Sequence, residues 1–418
     1  PTPSSAASDV YKRQDLNFVR EQFPAFSEPS LKGFLHFENA GGSFPCKQCI
    51  DALNKFYRTT KVQPYYGFEP SSEAGDLMNT ARIRLAAWLN VTSDEIHFST
   101  STSQNSYVIY NAFREYLSEG DEIVVTNQDH EANIGVWTRL ETAGIHVKIW
   151  EVNKATAELE IEGLNSVLSK KTKFVAFTHC SNIVGSINPA KEWIKKIHSA
   201  GALAIVDGVS YAGHGFPNIG NLDADIYFFS MYKVYGPHLG VMYIKDELNK
   251  KLPSQGHFFN SKIPTSRFTP AGPDHAQIAA VNGVIDYFDQ VHEHHFEKNI
   301  ETIKTDNISN LFQDAEKANL KPLLDFLTTK TSVRLIGKNT TLMRAPTVSF
   351  VSSKIVPEDL AMELAKEKIG IANGNCYAYR LMNAIGVEPN SGVARISFVH
   401  YTNPSEIEKL MLALDKII

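Results

Sequence analysis

Short apolar segments alternate with amphipathic helical patterns over residues 76–244. The apolar segments are rich in β-branched and aromatic residues and contain few polar positions, as expected for strands that are covered on both faces. They span 96–100, 122–126, 146–152, 173–179, 202–208, 225–230 and 240–244. Helical patterns lie between them over 76–89, 106–117, 132–144 and 190–201. This alternation predicts an α/β fold with a doubly wound, mostly parallel sheet.

A second, smaller α/β pattern follows a long helical stretch over 276–295. Its predicted strands span 345–351, 370–374 and 393–400, and its predicted helices span 357–368 and 404–417. We therefore expect a large domain over 35–285 and a small C-terminal domain over 286–418, both within the usual size range of domains. An N-terminal helix within 15–34, capped by Asp15 and ended before Pro24, is expected to pack with the small domain.

Composition narrows the class of protein. The chain has 418 residues, 43% of them hydrophobic, which is enough to bury the cores of two domains. Its net charge of −5, without a long run of one sign, does not favour a nucleic-acid or membrane-surface partner. No apolar run approaches the length of a spanning helix, no signal-peptide pattern is present, and four cysteines do not suggest a disulfide framework. These features favour a cytoplasmic location.

The first 14 residues, PTPSSAASDVYKRQ, differ from the rest of the chain. They are mostly small and polar and show no periodicity. We expect them to be a non-native tail and leave them out of the fold prediction.

A single lysine, Lys233, interrupts the apolar stretch FFSMYKVYGPHLGVMYI at 228–244. A lysine beside buried aromatic residues can extend its ammonium group to water. It can also be a desolvated amine whose lowered pKa suits it to covalent catalysis. Local sequence leaves both interpretations open.

Polar residues stand at the ends of several predicted strands, where open α/β sheets bind ligands. The segment STSTSQN at 99–105 opens a helix and could hold a phosphate, although such segments are commonly plain helix caps. Asp207 ends a strand and could equally serve in a structural salt bridge, whereas His130 follows a strand, where a lone histidine is usually structural. Together with Lys233, these groups supply the parts that hold pyridoxal 5′-phosphate (PLP). A nicotinamide cofactor fits less well because no G-x-G-x-x-G segment follows a strand.

Seven motifs in order resemble the class V aminotransferase family of fold type I PLP enzymes, and within it the cysteine desulfurase-like proteins. The motifs are LHFENAGGSFP (35–45), FSTSTSQN (98–105), DHEAN (129–133), HCSNIVGSINP (179–189), VDGVSYAGH (206–214), SMYKVYGP (230–237) and VARISFVHY (393–401). The resemblance runs from about Phe18 to the C-terminus. It implies PLP as the cofactor, an α-amino acid as the substrate and a homodimer with its active sites near the subunit interface.

The resemblance also implies roles for individual residues. The implied cofactor-binding residues are Thr102, Ser103, His130, Asn182, Asp207, Ser210, Ser230, Tyr232 and Lys233. Among these, Lys233 is the Schiff-base lysine, His130 stacks on the cofactor ring and passes a proton, and Asp207 faces the ring nitrogen. Arg395 receives the substrate carboxylate, and Asn39 lies near the substrate.

Several positions depart from the family pattern. In GIANGNCYAYRLM (370–382), Cys376 is a candidate nucleophile, but alignment of the following residues puts Tyr377 at the place of the family's cysteine. The family's arginine in this segment has no counterpart over 371–375. Ser210 replaces a glutamine and Tyr232 replaces a histidine. Gly272 stands where a threonine normally reaches the phosphate of the partner subunit, so that contact is expected to be missing.

Three functional hypotheses follow from this mixture of matches and departures. The first is a cysteine desulfurase or related C–S lyase, supported by the family and by Cys376, with an undetermined sulfur acceptor. The second is an epimerase or aminotransferase, supported by Tyr377. The third is a PLP-binding protein without turnover.

Two further motifs are interpreted as structural. The segment Cys46-Lys-Gln-Cys49 lacks a thioredoxin-like context or a second metal pair. The segment HEHH at 292–295 differs from the zinc motif H-E-x-x-H and is typical of the charged end of a helix. No metal site is predicted.

Overall fold

The computed structural model describes residues 13–297 and 304–418. Residues 1–12 of the segment expected to be a tail lie outside this part. Twelve strands occur in the described part: β1 Leu35–Phe37, β2 Ile96–Ser99, β3 Glu122–Thr126, β4 His146–Trp150, β5 Thr172–Thr178, β6 Leu203–Asp207, β7 Ile226–Ser230, β8 Gly240–Ile244, β9 Val333–Ile336, β10 Thr347–Ser352, β11 Ile369–Gly374 and β12 Val393–Ser397.

Fourteen α-helices occur in the same ranges. They are α1 Leu16–Arg20, α2 Lys47–Thr59, α3 Glu69–Leu89, α4 Thr102–Tyr116, α5 Glu131–Thr138, α6 Ile161–Val167, α7 Ala190–Ser199, α8 Ile219–Leu222, α9 Asp246–Lys251, α10 His275–His295, α11 Lys304–Thr328, α12 Pro357–Lys366, α13 Tyr379–Ala384 and α14 Pro404–Asp415. The helices predicted from the sequence are all present, with ends that differ by up to seven residues.

The larger sheet contains the seven strands that the apolar segments predict. Their order is β2-β8-β7-β6-β5-β3-β4. All neighbouring pairs are parallel except those of β8, which runs antiparallel to both β2 and β7. The prediction of a doubly wound, mostly parallel sheet is therefore confirmed. The carboxyl ends of the parallel strands lie at one edge of this sheet.

Two apolar cores cover the two faces of the larger sheet. In β3, Ile123 and Val125 join one core with residues of α4 and α5, whereas Val124 joins the other core with residues of α3, α7 and α10. Successive side chains of a strand point to opposite faces, so a strand buried on both sides must be apolar at every position. This is why the strand segments read as continuous apolar runs.

The smaller sheet has the order β1-β11-β12-β10-β9 and its own apolar core. Its strand β1 pairs in parallel with β11, so Leu35–Phe37 joins the smaller sheet although the sequence placed it at the start of the large domain. The expected domain bounds otherwise stay a prediction. The sequence also missed β9 and the long helix α11, which continues through Pro322.

The N-terminal helix α1 begins at the predicted cap, because the Asp15 side chain accepts a hydrogen bond from the backbone N–H of Phe18. The Arg20 guanidinium pairs with Glu406 of α14 at 3.0 Å. On the other side, His294 lies 3.1 Å from the Asp15 carboxylate, and the His295 ring accepts from the Asp15 N–H. The histidines of the HEHH segment thus hold α1 against the end of α10.

In the described ranges, none of the helices combines the length and apolar character needed to cross a membrane.

Candidate active site

A cavity of about 440 Å³ opens at the carboxyl-end edge of the larger sheet. Each predicted cofactor-binding residue lines it: Thr102, Ser103, His130, Asn182, Asp207, Ser210, Ser230, Tyr232 and Lys233. They come from segments far apart in sequence that follow different strands. The fold brings them together because parallel strands end at the same edge.

Hydroxyl groups at the start of α4 line part of the cavity. Ser101 caps this 15-residue helix by accepting a hydrogen bond from the N–H of Gln104. The Thr102 hydroxyl donates to the carbonyl of Phe229 and lies 2.6 Å from the Ser230 hydroxyl. Free N–H groups and hydroxyls at a helix N-terminus favour an anion. At Gly240 an added Cβ would collide with the Ser101 backbone, so glycine lets β8 approach this turn.

An imidazole and a carboxylate also line the cavity. His130 caps α5, and its Nδ1 accepts from the N–H of Ala132. Burial, with the nearby charges of Lys233 and Arg395, lowers the pKa of His130 to about 4, so its ring is neutral at pH 7. The Asp207 carboxylate accepts from the N–H of Val209 at 2.9 Å. Burial raises the pKa of Asp207, whereas its N–H partner and Lys233 oppose that rise.

Lys233 is buried at the same cavity, in a short turn after β7. Its amine makes no hydrogen bond to any residue in the described part of the chain. Burial and then the charge of Arg395 lower the pKa of Lys233 to about 8, against the opposing effects of Asp207 and Glu38. The sequence left open whether the Lys233 amine extends to water or is desolvated. In the structure it is buried and desolvated.

Arg395 and Asn39 lie beside the cavity rather than in its lining. The buried Arg395 guanidinium donates to the carbonyl of Asn182 at 3.2 Å and to the Glu38 carboxylate at 2.9 Å. Asn39 donates to the carbonyl of Ser397 and accepts from the Tyr401 hydroxyl. Asn39 and Lys233 both line a small neighbouring pocket.

Cys376 and Tyr377 occupy a tight turn after β11. Both have left-handed backbones, with φ of 46° and 62°. Tyr377 lines the cavity, whereas Cys376 lies outside its lining. The carbonyl of Cys376 accepts from the Asn182 side chain at 2.8 Å, and burial raises the pKa of its thiol. The structure therefore does not bring this thiol into the cavity with the other candidates, and its role as nucleophile stays a prediction.

Contacts to α5 hold the ring of Tyr377 at the cavity. The carbonyl of Tyr377 accepts from the N–H of Glu131, and its ring centroid lies 5.1 Å from that of His130. Arg380 pairs with the Glu131 carboxylate at 3.3 Å. These contacts join the turn of the smaller sheet to the cavity wall of the larger one.

Sequence reasoning did not assign a role to Tyr377, Glu131 or Glu38. The alignment that put Tyr377 at the place of the family's cysteine was the available signal for the first. For Glu38, the signal was its position directly before Asn39 in the first motif. Glu131 adjoins His130 in the third motif, but nothing in the sequence indicated that it meets Tyr377.

The cysteines of the C-x-x-C segment lie away from the cavity lining. Both are fully buried at the start of α2, and Cys46 is the cap residue of that helix. Burial raises the pKa of Cys46 to about 12 and also raises that of Cys49. Neither thiol has the lowered pKa of a reactive cysteine.

The groups along the cavity fit PLP. The hydroxyls and the N-terminus of α4 suit a phosphate, and the Asp207 carboxylate suits a protonated ring nitrogen. The buried amine of Lys233, without a hydrogen-bond partner, suits a covalent link to the aldehyde.

Comparison with known proteins identifies the family. The family model described as "Aminotransferase class-V" matches residues 35–410. The chain belongs to the aminotransferase class-V family. Members of this family are PLP-dependent enzymes, so the expected enzyme class and fold type I architecture are confirmed.

The relatives of this class V protein include an aminotransferase-like protein and cysteine desulfurases. The aminotransferase-like protein FGM3 of Gibberella zeae is 32% identical over 96% of this chain and 98% of its own length. A cysteine desulfurase of Enterobacter sp. strain 638 is 28% identical over 96% of this chain and 97% of its own. The structure of a cysteine desulfurase from Thermococcus onnurineus NA1 superimposes with a TM-score of 0.84 at 23% identity, covering 96% of this chain and 98% of that one.

Proposed function

We propose that this chain binds PLP through Lys233 and acts on an α-amino acid as a cysteine desulfurase-like enzyme. The observation that carries the proposal is the buried amine of Lys233, which faces the same cavity as Asp207, His130 and the hydroxyls of Thr102 and Ser230. A desolvated amine with a lowered pKa is a nucleophile near neutral pH. The cysteine desulfurases among the relatives support the reaction class.

Each residue of the cavity has a defined task in this proposal. When bound, PLP supplies an electron sink that stabilises negative charge at the substrate Cα. Asp207 would hold a proton on the ring nitrogen, and the neutral ring of His130 would support the cofactor ring. Thr102, Ser103 and Ser230 hold the phosphate. Asn182, Ser210 and Tyr232 complete the binding surface.

Substrate is held by groups of the smaller sheet. Arg395 receives the α-carboxylate as a charge-assisted pair, and Asn39 supports the turn beside it. This contact would fix the orientation of the substrate Cα in the cavity. The Lys233 amine would move the proton at the substrate Cα.

The sulfur step depends on the turn after β11. Cys376 is the candidate nucleophile. Burial raises the pKa of its thiol, and the positive charges of Arg395 and Lys233 oppose that rise without cancelling it. To reach a substrate sulfur, the thiol has to turn toward the cavity that Tyr377 now lines. The place of Tyr377 favours a second candidate function, a class V reaction at Cα without sulfur transfer, such as epimerisation or transamination.

A panel of amino acids separates these functions. We expect the cofactor-loaded enzyme to convert L-cysteine into alanine and sulfide in equal amounts in the presence of a thiol reductant. The products are measured by amino-acid analysis and a sulfide assay, with serine and alanine as matched substrates that lack sulfur. Racemised amino acid or keto acid without sulfide would instead establish the second candidate function.

We also propose a cytoplasmic homodimer whose subunit interface lies near the active site. Two groups of aromatic side chains are exposed on the isolated chain: Tyr65, Tyr66 and Phe68, and Phe258 with Phe259. Large exposed apolar patches are typical of interfaces. Gly272 is a glycine, so this position has no side chain that could reach a partner's phosphate. All four cysteines are unpaired, which suits a reducing compartment.

Light scattering at micromolar concentration is expected to give twice the mass of the chain. Replacing Phe258 and Phe259 by serine is expected to weaken the dimer, whereas the same change at Leu412, an exposed residue of α14, is the matched control. A monomer that carries bound cofactor would contradict the proposed dimer.

A further inference from the structure

The arginine that is proposed to receive the substrate carboxylate, Arg395, forms an ion pair with an acidic side chain of the same chain. The Glu38 carboxylate lies 2.9 Å from Nη2 of Arg395, while Nη1 donates to the carbonyl of Asn182. The remaining nitrogen, Nε of Arg395, is buried without a hydrogen-bond partner among the described residues. The guanidinium is thus only partly satisfied, and among the described residues its ion-pair partner is Glu38.

The two partners differ in their freedom to move. The Arg395 side chain is 5% exposed, whereas that of Glu38 is 36% exposed. A buried cation without a counter-charge is strongly unfavourable, so an empty site needs a carboxylate beside Arg395. A half-exposed glutamate can supply this carboxylate and can also leave it for water when another carboxylate arrives.

The residue at position 41 makes room for this arrangement. Gly41 lies in the turn after Asn39. An added Cβ at Gly41 would collide with both oxygens of the Glu38 carboxylate. Its backbone is not in the left-handed region, so the glycine is needed for space rather than for backbone conformation. The ion pair between Glu38 and Arg395 therefore depends on the space that Gly41 leaves free.

We propose that Glu38 is a specificity-determining placeholder, which neutralises Arg395 in the empty site and is displaced by the carboxylate of a monocarboxylic amino acid. The inference rests on the proposed function, in which Arg395 is the carboxylate site. After displacement the charge of Glu38 stays close to the substrate. A monocarboxylic amino acid places only its α-carboxylate near the Glu38 carboxylate. A dicarboxylic amino acid adds a second negative group, which the Glu38 carboxylate repels. Glu38 therefore selects against acidic side chains.

Calorimetric titration of the cofactor-loaded enzyme with propionate and succinate tests this role. These probes carry one and two carboxylates and lack the amine, so they bind without reacting. In the unmodified protein propionate is expected to bind more tightly than succinate. In Glu38→Gln both probes are expected to bind more tightly, and the preference for propionate is lost, with a change of about tenfold for succinate from the removed like charge.

Gly41→Ala provides a second variant that keeps the charge of Glu38 but moves its carboxylate away from Arg395. We expect it to tighten propionate binding while the preference over succinate remains. The matched control is Glu122→Gln, which breaks a carboxylate–lysine pair of 2.7 Å at the start of β3, the opposite end of that strand from the cavity. This control is expected to leave both affinities unchanged.

The outcomes separate the two proposals. Protein that takes up no PLP contradicts the proposed function. Cofactor-loaded Glu38→Gln protein with unchanged or weaker binding of both probes contradicts the placeholder role alone, because an acid that merely positions Arg395 would help the ligand to bind. Circular dichroism and the melting temperature of each variant establish that it is folded.

Discussion

Replacing Lys233 by alanine is expected to abolish covalent cofactor binding and to reduce turnover to below about one hundredth, because loss of a proton-transfer group alone costs roughly 10²–10⁴ in rate. The amine is the buried group of the cavity that can join the cofactor aldehyde, and it makes no competing hydrogen bond to a described residue. Borohydride reduction of the unmodified holoenzyme followed by peptide mass spectrometry should place the cofactor mass on Lys233.

The pH dependence of cofactor capture gives the same assignment a second readout. Only a neutral amine attacks an aldehyde, so the rate of capture by cofactor-free protein rises as the ammonium loses its proton. With the pKa of Lys233 lowered to about 8, this rise should level off above pH 8. An ordinary lysine, with a pKa of about 10.4, would continue to gain rate well beyond that pH.

Lys250→Ala is the matched control for this experiment, because Lys250 is an exposed lysine of α9 that pairs with Asp246. It is expected to leave capture and its pH profile unchanged. A borohydride-stable cofactor in the Lys233→Ala protein would show that another residue forms the link.

Replacing Cys376 by serine is expected to reduce sulfide release from cysteine to the background level while the cofactor remains bound. Serine keeps the size of the residue but lacks the thiolate that takes up sulfur. The cofactor contacts should persist because the Asn182 side chain meets the carbonyl of Cys376, which the substitution retains. The measurement is sulfide and alanine production, together with the absorption spectrum of the bound cofactor.

Tyr377→Phe is the matched variant at the adjacent position. It keeps the ring that packs near His130 and removes only the hydroxyl. If sulfide release depends on Cys376, this variant should retain it. Full activity of Cys376→Ser combined with loss of activity in Tyr377→Phe would instead assign the chemistry to the phenol and favour a reaction without a protein-bound sulfur intermediate.

Local sequence patterns were sufficient for most of the larger sheet. Its strands are continuous apolar runs because both faces are buried, and polar residues such as Asp207 and Ser230 stand where those runs end. The short strand β1 was missed because its pairing with β11 joins segments more than 300 residues apart. The helix α11 was missed because it contains Pro322, and a proline normally predicts the end of a helix.

By itself, the sequence determined the α/β class, the family and the residues that could form a cofactor site, because each depends on residue type and spacing along the chain. Only the tertiary structure decided that the Lys233 amine is buried without a hydrogen-bond partner among the described residues. Only it showed that Glu38 pairs with Arg395 and that Tyr377, rather than Cys376, lines the cavity. The physical reason is that burial, side-chain direction and the partner of a charge arise where distant segments meet, and a linear pattern does not encode these properties.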